Sequence, residues 1–200
     1  MKKLTALALA GLFVASGAYA AGDAAAGKTK SATCAACHMA DGNSVNPIWP
    51  KLAGQHADYL AKQIGDFKSG ARKDPTMTAM AAPLSDQDAL DLAAYFSSQT
   101  MSGGAAKPEL VKQGEALYRA GNPASGVSAC TACHGPTGSG NPDAKYPRVG
   151  GQQVDYVVKQ LKDFRAGTRA NDPNSMMRDV AMKMTDQEIE AVASYISGLH

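Results

Sequence analysis

The sequence predicts an all-α protein made of two tandem copies of one small domain, and three observations carry that prediction. The pentapeptide Cys34-Ala35-Ala36-Cys37-His38 recurs as Cys130-Thr131-Ala132-Cys133-His134. The residue blocks after each copy match in the same order. No stretch alternates apolar and polar residues with the period of two that a half-buried strand shows.

The duplication extends well beyond the pentapeptides. Trp49-Pro50-Lys51-Leu52-Ala53-Gly54-Gln55 answers to Tyr146-Pro147-Arg148-Val149-Gly150-Gly151-Gln152. Asp58-Tyr59, Lys62-Gln63 and Asp66-Phe67 answer to Asp155-Tyr156, Lys159-Gln160 and Asp163-Phe164. Ser85-Asp86-Gln87-Asp88 answers to Thr185-Asp186-Gln187-Glu188. The joint lies in Ser97 to Lys107, where Ser, Gly and Ala dominate, and Pro108 restarts the second unit. This sets a first domain at 21–98, a linker at 99–107 and a second domain at 108–200.

Each unit reads as helical. An Ala/Lys stretch leads into Cys34, a helix is expected from about His56 to Ser69, and another from about Asp86 to Ser98. Pro108 opens a helix through Ala120. Ser85 and Thr185 are suited to cap helix N-termini, and Thr185 with Glu188 spells a capping box. Between the helices lie Gly/Pro/Asn-rich stretches such as Asp41 to Pro50 and Gly135 to Pro147. Units of roughly 80 to 100 residues with so much loop build a poor core unaided, so a large apolar group is expected inside.

The N-terminus has the form of a secretory leader. Lys2 and Lys3 are followed by an apolar run from Leu4 to Ala15 and by Ala18-Tyr19-Ala20. The run is too short to span a bilayer, so residues 1–20 are read as a signal peptide with a mature start near Ala21. The formal net charge of +2 includes both leader lysines, so the mature chain is neutral. No basic stripe interleaved with aromatics is present, which argues against a nucleic-acid partner.

All four cysteines lie inside the two pentapeptides. Two thiols three positions apart on one helical turn can add across the two vinyl groups of one haem edge, and the following His then projects at the iron. Cys-x-x-Cys-His is the c-type haem attachment signature. A thioredoxin-like dithiol needs a βαβ setting that is absent. A four-cysteine zinc site gives no reason for a His at both fifth positions. Bridges within Cys-x-x-Cys strain disulfide geometry. The expected cofactors are therefore two covalent haem c groups, on Cys34 and Cys37 and on Cys130 and Cys133.

The second axial position of each iron decides what it can do. Met77 and Met177 obey the repeat, each lying eight residues before Ser85 or Thr185 on a Pro/Asn-rich loop. Met176 adjoins Met177 and competes with it, though repeat register favours Met177; Met80 competes with Met77. Met80, Met182 and Met184 otherwise read as core filling. Met39 follows His38 directly, on the wrong side of the ring. A ligating His usually gives its other ring N–H to a carbonyl, and Pro50 and Pro147 are placed to supply one. Leu52 and Val149 are then expected against the ring. His56 pairs with Gln153 in the repeat, so it reads as a surface residue, as does His200.

Together these motifs resemble the cytochrome c4 family, over essentially all of the mature chain. The resemblance implies two tandem class I cytochrome c-like domains, each wrapped around one covalent haem c. It implies axial ligation by His38 and Met77 in the first and by His134 and Met177 in the second. It implies a non-enzymatic electron carrier of the periplasm, working between respiratory-chain donors and a terminal oxidase or another acceptor. The partners expected are redox proteins, a membrane respiratory complex among them. Peripheral membrane association through such a partner is compatible with a neutral chain, and a monomer is expected. The alternatives are the dihaem subunit of a flavocytochrome c-type dehydrogenase, or a dihaem peroxidase with one open iron.

Overall fold

The computed structural model describes residues 21–199. The leader at 1–20 and the terminal His200 lie outside the described residues. The regular elements of the described chain are helical. In the first half, α1 is Ala24–Lys30, α2 Ala35–His38, α3 Ala57–Ser69, α4 Pro75–Ala81 and α5 Asp86–Ser97. In the second, α6 is Pro108–Ala120, α7 Thr131–His134, α8 Val154–Ala166, α9 Met176–Ala181 and α10 Asp186–Ser197. Among the described residues there is no sheet, only isolated bridges Asn122–Val127 and Asn141–Tyr146 that close two loops of the second half.

Local chemistry explains the ends. Asp23 caps α1 by accepting from the N–H groups of Ala25 and Ala26. Ser85 with Asp88 and Thr185 with Glu188 both form complete capping boxes at α5 and α10. Helices α3 and α8 stop at Gly70 and Gly167, whose φ of 79° and 73° are left-handed. Two short helices exceed the sequence expectation. Met77 lies not on a loop but in the first turn of α4, where Pro75 opens the helix and Asp74 accepts the Met77 N–H. Met177 lies likewise in the first turn of α9.

In each half the last helix is the spine, with α5 against α1 and α3, and α10 against α6 and α8. The first and last helices cross at a glycine. A Cβ on Gly27 would stand 2.0 Å from Asp91 O, and one on Gly114 would stand 2.3 Å from Ala191 O. The helix backbones therefore touch. Around these crossings Leu60, Leu92, Tyr95 and Phe96 form the first core, and Leu117, Tyr118, Ile189, Val192 and Ile196 the second, larger one.

The segment between the halves is strapped down. Met101 is buried, Ser102 N donates to Asn43 Oδ1 at 2.7 Å, and Lys51 Nζ donates to Ser102 O at 2.6 Å. Farther on, Lys107 N donates to Ser194 Oγ at 2.9 Å. The Ser/Gly/Ala composition of the joint does not announce these bonds, because they depend on partners distant in the chain. The halves themselves meet through equivalent segments, those before and after α3 and α8. Tyr156 N donates to Pro47 O at 3.1 Å, and the side chain of Gln153 donates to Ser44 O.

Candidate haem-binding sites

Each Cys-x-x-Cys-His stretch folds into one turn of helix. Cys34 and Cys130 act as N-caps of α2 and α7, and the His N–H of each turn donates to the first Cys carbonyl at 2.9 Å. That geometry sets both thiols on one edge and the imidazole behind them. All four thiols are unbridged. Burial raises the Cys34 thiol above its ordinary value and pushes Cys130 up to about 11. A redox dithiol or a zinc thiolate site lowers thiol values instead. Among the described residues, no group of three or more His, Cys, Asp or Glu converges as a metal ion would need.

His38 and His134 are buried, at 7% and 9% exposure. His38 Nδ1 lies 2.9 Å from Pro50 O, and His134 Nδ1 lies 2.9 Å from Pro147 O. A carbonyl only accepts, so Nδ1 carries the hydrogen and Nε2 is the ring nitrogen left to bind iron. Burial lowers both imidazoles from their ordinary value, against the opposing pull of the carbonyls, and so favours the neutral form that can ligate. Leu52 packs with Cys34, Ala61, Ile64 and Leu84 on the first core, and Val149 packs with Cys130, Val158 and Met177 on the second. The donor set, two thiols, one oriented imidazole and a thioether amid apolar side chains, fits a covalently held haem.

The methionines sort by environment. Met77 is half-buried, while Met80 is 40% exposed. Met177 packs on the second core, whereas Met176 is 36% exposed with its sulfur 3.9 Å from Tyr146 Oη. Of the three expected to fill core, only Met184 does so; Met182 is 62% exposed. Beside Met80 it is Ala81 that is buried on α4, and after the end of α9 it is Met184, not Met182, that joins the second core. His56 also departs from expectation. It is half-buried rather than a surface residue, and its Nε2 is buried with no hydrogen-bond partner among the described residues. Its place at the head of α3, facing the other half, is decided by the packing of the two halves.

Four polar residues at the boundary were not singled out from the sequence: Gln55, Gln152, Arg72 and Arg169. Each is buried. The glutamines stand at equivalent ends of the two matching proline blocks, and the arginines both follow Gly-x after a helix, so the repeat itself held the signal.

The cytochrome c family matches this chain over residues 24–100 and 111–200. The chain is similar to cytochrome c4 of Pseudomonas aeruginosa, with 53% identity over 201 residues and 100% of both chains covered. It is also similar to a thiosulfate dehydrogenase electron acceptor of Stutzerimonas stutzeri, with 39% identity over 83% of this chain and 78% of that one. The crystal structure of reduced recombinant cytochrome c4 from Pseudomonas stutzeri matches with a TM-score of 0.88 at 53% identity, covering 90% of this chain and 100% of that one. With one Cys-x-x-Cys-His turn inside each matched region, the chain belongs to the cytochrome c4 family and carries two covalently bound haem c groups.

Proposed function

We propose that the protein is a periplasmic electron carrier with two closed irons, held by His38 and Met77 in a domain at 21–98 and by His134 and Met177 in a domain at 108–200. The observation that carries this reading is the matched pair of sites. In each half a buried imidazole is oriented by a proline carbonyl, with a methionine eight residues before a capped helix. Haem bound there supplies a one-electron couple. The chain's own residues do the rest. Pro50 and Pro147 fix the imidazoles, the methionines close the remaining coordination position, and the apolar side chains around Leu52 and Val149 exclude water. A soft thioether ligand and a dry pocket favour the reduced, less charged state and raise the potential. With both positions filled, no site is left for oxygen, peroxide or an organic substrate.

The chain takes electrons from a respiratory donor and passes them to a terminal oxidase or another acceptor. Similarity to a relative named as a thiosulfate dehydrogenase electron acceptor supports a second reading, in which the donor is a dehydrogenase. No helix among the described residues is long and apolar enough to cross a membrane. Carbon monoxide titration of the fully reduced protein tests the closed irons. No binding is expected; one equivalent bound would mean an open iron and would move the peroxidase reading forward.

A further inference from the structure

Arg72 and Arg169 occupy equivalent places. Each lies two residues after the glycine that ends α3 or α8, and each opens the segment leading to its methionine, five residues on for Met77 and eight for Met177. Their main chains are held within their own half. Arg72 N donates to Asp66 O at 2.9 Å and Arg169 N to Asp163 O at 3.1 Å. The guanidinium carbons lie 4.6 and 4.4 Å from the ring centroids of Phe67 and Phe164.

The forks reach into the opposite half. Arg72 Nη2 donates to Tyr156 Oη at 3.0 Å and to Gln160 Oε1 at 2.7 Å, both on α8. Arg169 Nη2 donates to Tyr59 Oη at 3.0 Å and to Gln63 Oε1 at 3.2 Å, both on α3. Both side chains are buried, at 8% and 7% exposure. Each guanidinium is thus held by several hydrogen bonds at once, and a buried charge held in this way can serve to fix one geometry.

The next residues pass that geometry to the methionines. Asp74 Oδ1 accepts the Met77 N–H at 3.0 Å. Asp172 accepts from the N–H and Nε of Arg178, the neighbour of Met177, at 3.0 and 2.8 Å. The second segment is the longer one, and it contains Asn174 and Ser175 with left-handed φ of 52° and 59°. Such residues persist only where their surroundings hold them. Asn171 adds a tie to the first half, donating to Gln63 Oε1 at 3.0 Å and to Asp66 Oδ2 at 2.6 Å.

We propose that Arg72 and Arg169 cross-brace the two methionine segments, so that each axial methionine is held against its iron by the opposite domain. The inference rests on the His/Met reading above and makes both arginines positioning residues. It requires that a change in the first domain be read at the second iron. The second iron is the more dependent, because its segment is longer and strained.

The test uses the full-length, reduced dihaem protein mixed with carbon monoxide. Met77→Ala and Met177→Ala supply the spectral signatures of an open first and an open second iron. Tyr59→Phe should then speed carbon monoxide capture at the second iron by about tenfold, the scale of one lost hydrogen bond to a charged group. It should also shift that haem's midpoint potential and leave the first haem unchanged. Tyr156→Phe should act on the first iron, more weakly, and Arg169→Gln should exceed Tyr59→Phe. If Tyr59→Phe alters only the first haem, or neither, the cross-brace is overturned while the ligand assignment stands. If Met177→Ala leaves the second iron closed, the ligand assignment itself falls, and the brace with it.

Discussion

Gln152 holds both main-chain groups of Lys51 across the boundary between the halves. Its Oε1 accepts the Lys51 N–H at 2.8 Å, and its Nε2 donates to the Lys51 carbonyl at 2.9 Å. Gln55 returns the grip on Arg148, at 2.9 Å from the N–H and 2.8 Å to the carbonyl. Lys51 and Arg148 each follow the proline whose carbonyl orients an imidazole. The boundary between the halves is thus built one residue away from the proline that orients each imidazole.

Gln152→Ala should therefore cost more than an ordinary boundary substitution. It leaves the buried N–H and C=O of Lys51 unpaired, a loss of about 2–4 kcal/mol. Urea unfolding of the haem-loaded protein measures it, and an unchanged midpoint would show that water replaces the glutamine without cost.

Met177→Ala should open the second iron to one equivalent of carbon monoxide and lower its potential. Met176→Ala should do neither, and should alter stability by no more than about 0.5 kcal/mol, as exposed substitutions do. Reversed effects would exchange the two residues' roles. The separation follows from the packing of Met177 on the second core and the exposure of Met176.

Gly114→Ala should destabilise the second domain by about 1–3 kcal/mol, the usual cost of overpacking. The added methyl would meet Ala191 O and Tyr195 Cβ, at 2.3 and 2.6 Å, and the helices would have to part. Thermal unfolding followed at the haem band reads this directly. Gly167→Ala is the comparison, since no atom lies within 4 Å of its added methyl, though its left-handed φ of 73° carries a backbone cost of its own.

Acid should loosen the first domain through Asp91. The N–H of Asp23, then Lys30 and Gln87, hold this carboxyl at about 2. Asp88 beside Lys30 is held well below its ordinary value too, by Lys30 and then by Ser85. Because these values are depressed on folding, the stabilisation is fully present above the ordinary carboxylate value of about 4 and is lost as pH falls toward 2. Asp91→Asn should flatten the pH dependence of the thermal midpoint across that window. A variant as acid-sensitive as the parent would place the effect elsewhere.

Much of the site was legible because the chain states it twice. A pentapeptide with a fixed chemical meaning needs no tertiary context, and neither does a carbonyl twelve or thirteen residues after a histidine once the repeat aligns Pro50 with Pro147. Residues whose roles depend on the opposite half were less legible. Polar letters such as Gln55, Arg72 and His56 look like surface, and only the meeting of the two halves covers them. The short helices α4 and α9 escaped notice for a different reason. Six or seven residues show too little period to be read; Asp74 caps α4, and Asp172 accepts the Arg178 N–H in α9.

The sequence by itself determined the all-α class, the duplication and the two Cys-x-x-Cys-His turns that imply two covalent haem c groups, because local spacing and covalent chemistry decide these. The tertiary structure decided which methionines turn inward, how the joint is strapped, and that each half grips the other beside its own haem-binding segments. Those outcomes depend on which surfaces of two near-copies come together, and the buried hydrogen bonds that select one arrangement join residues about a hundred positions apart.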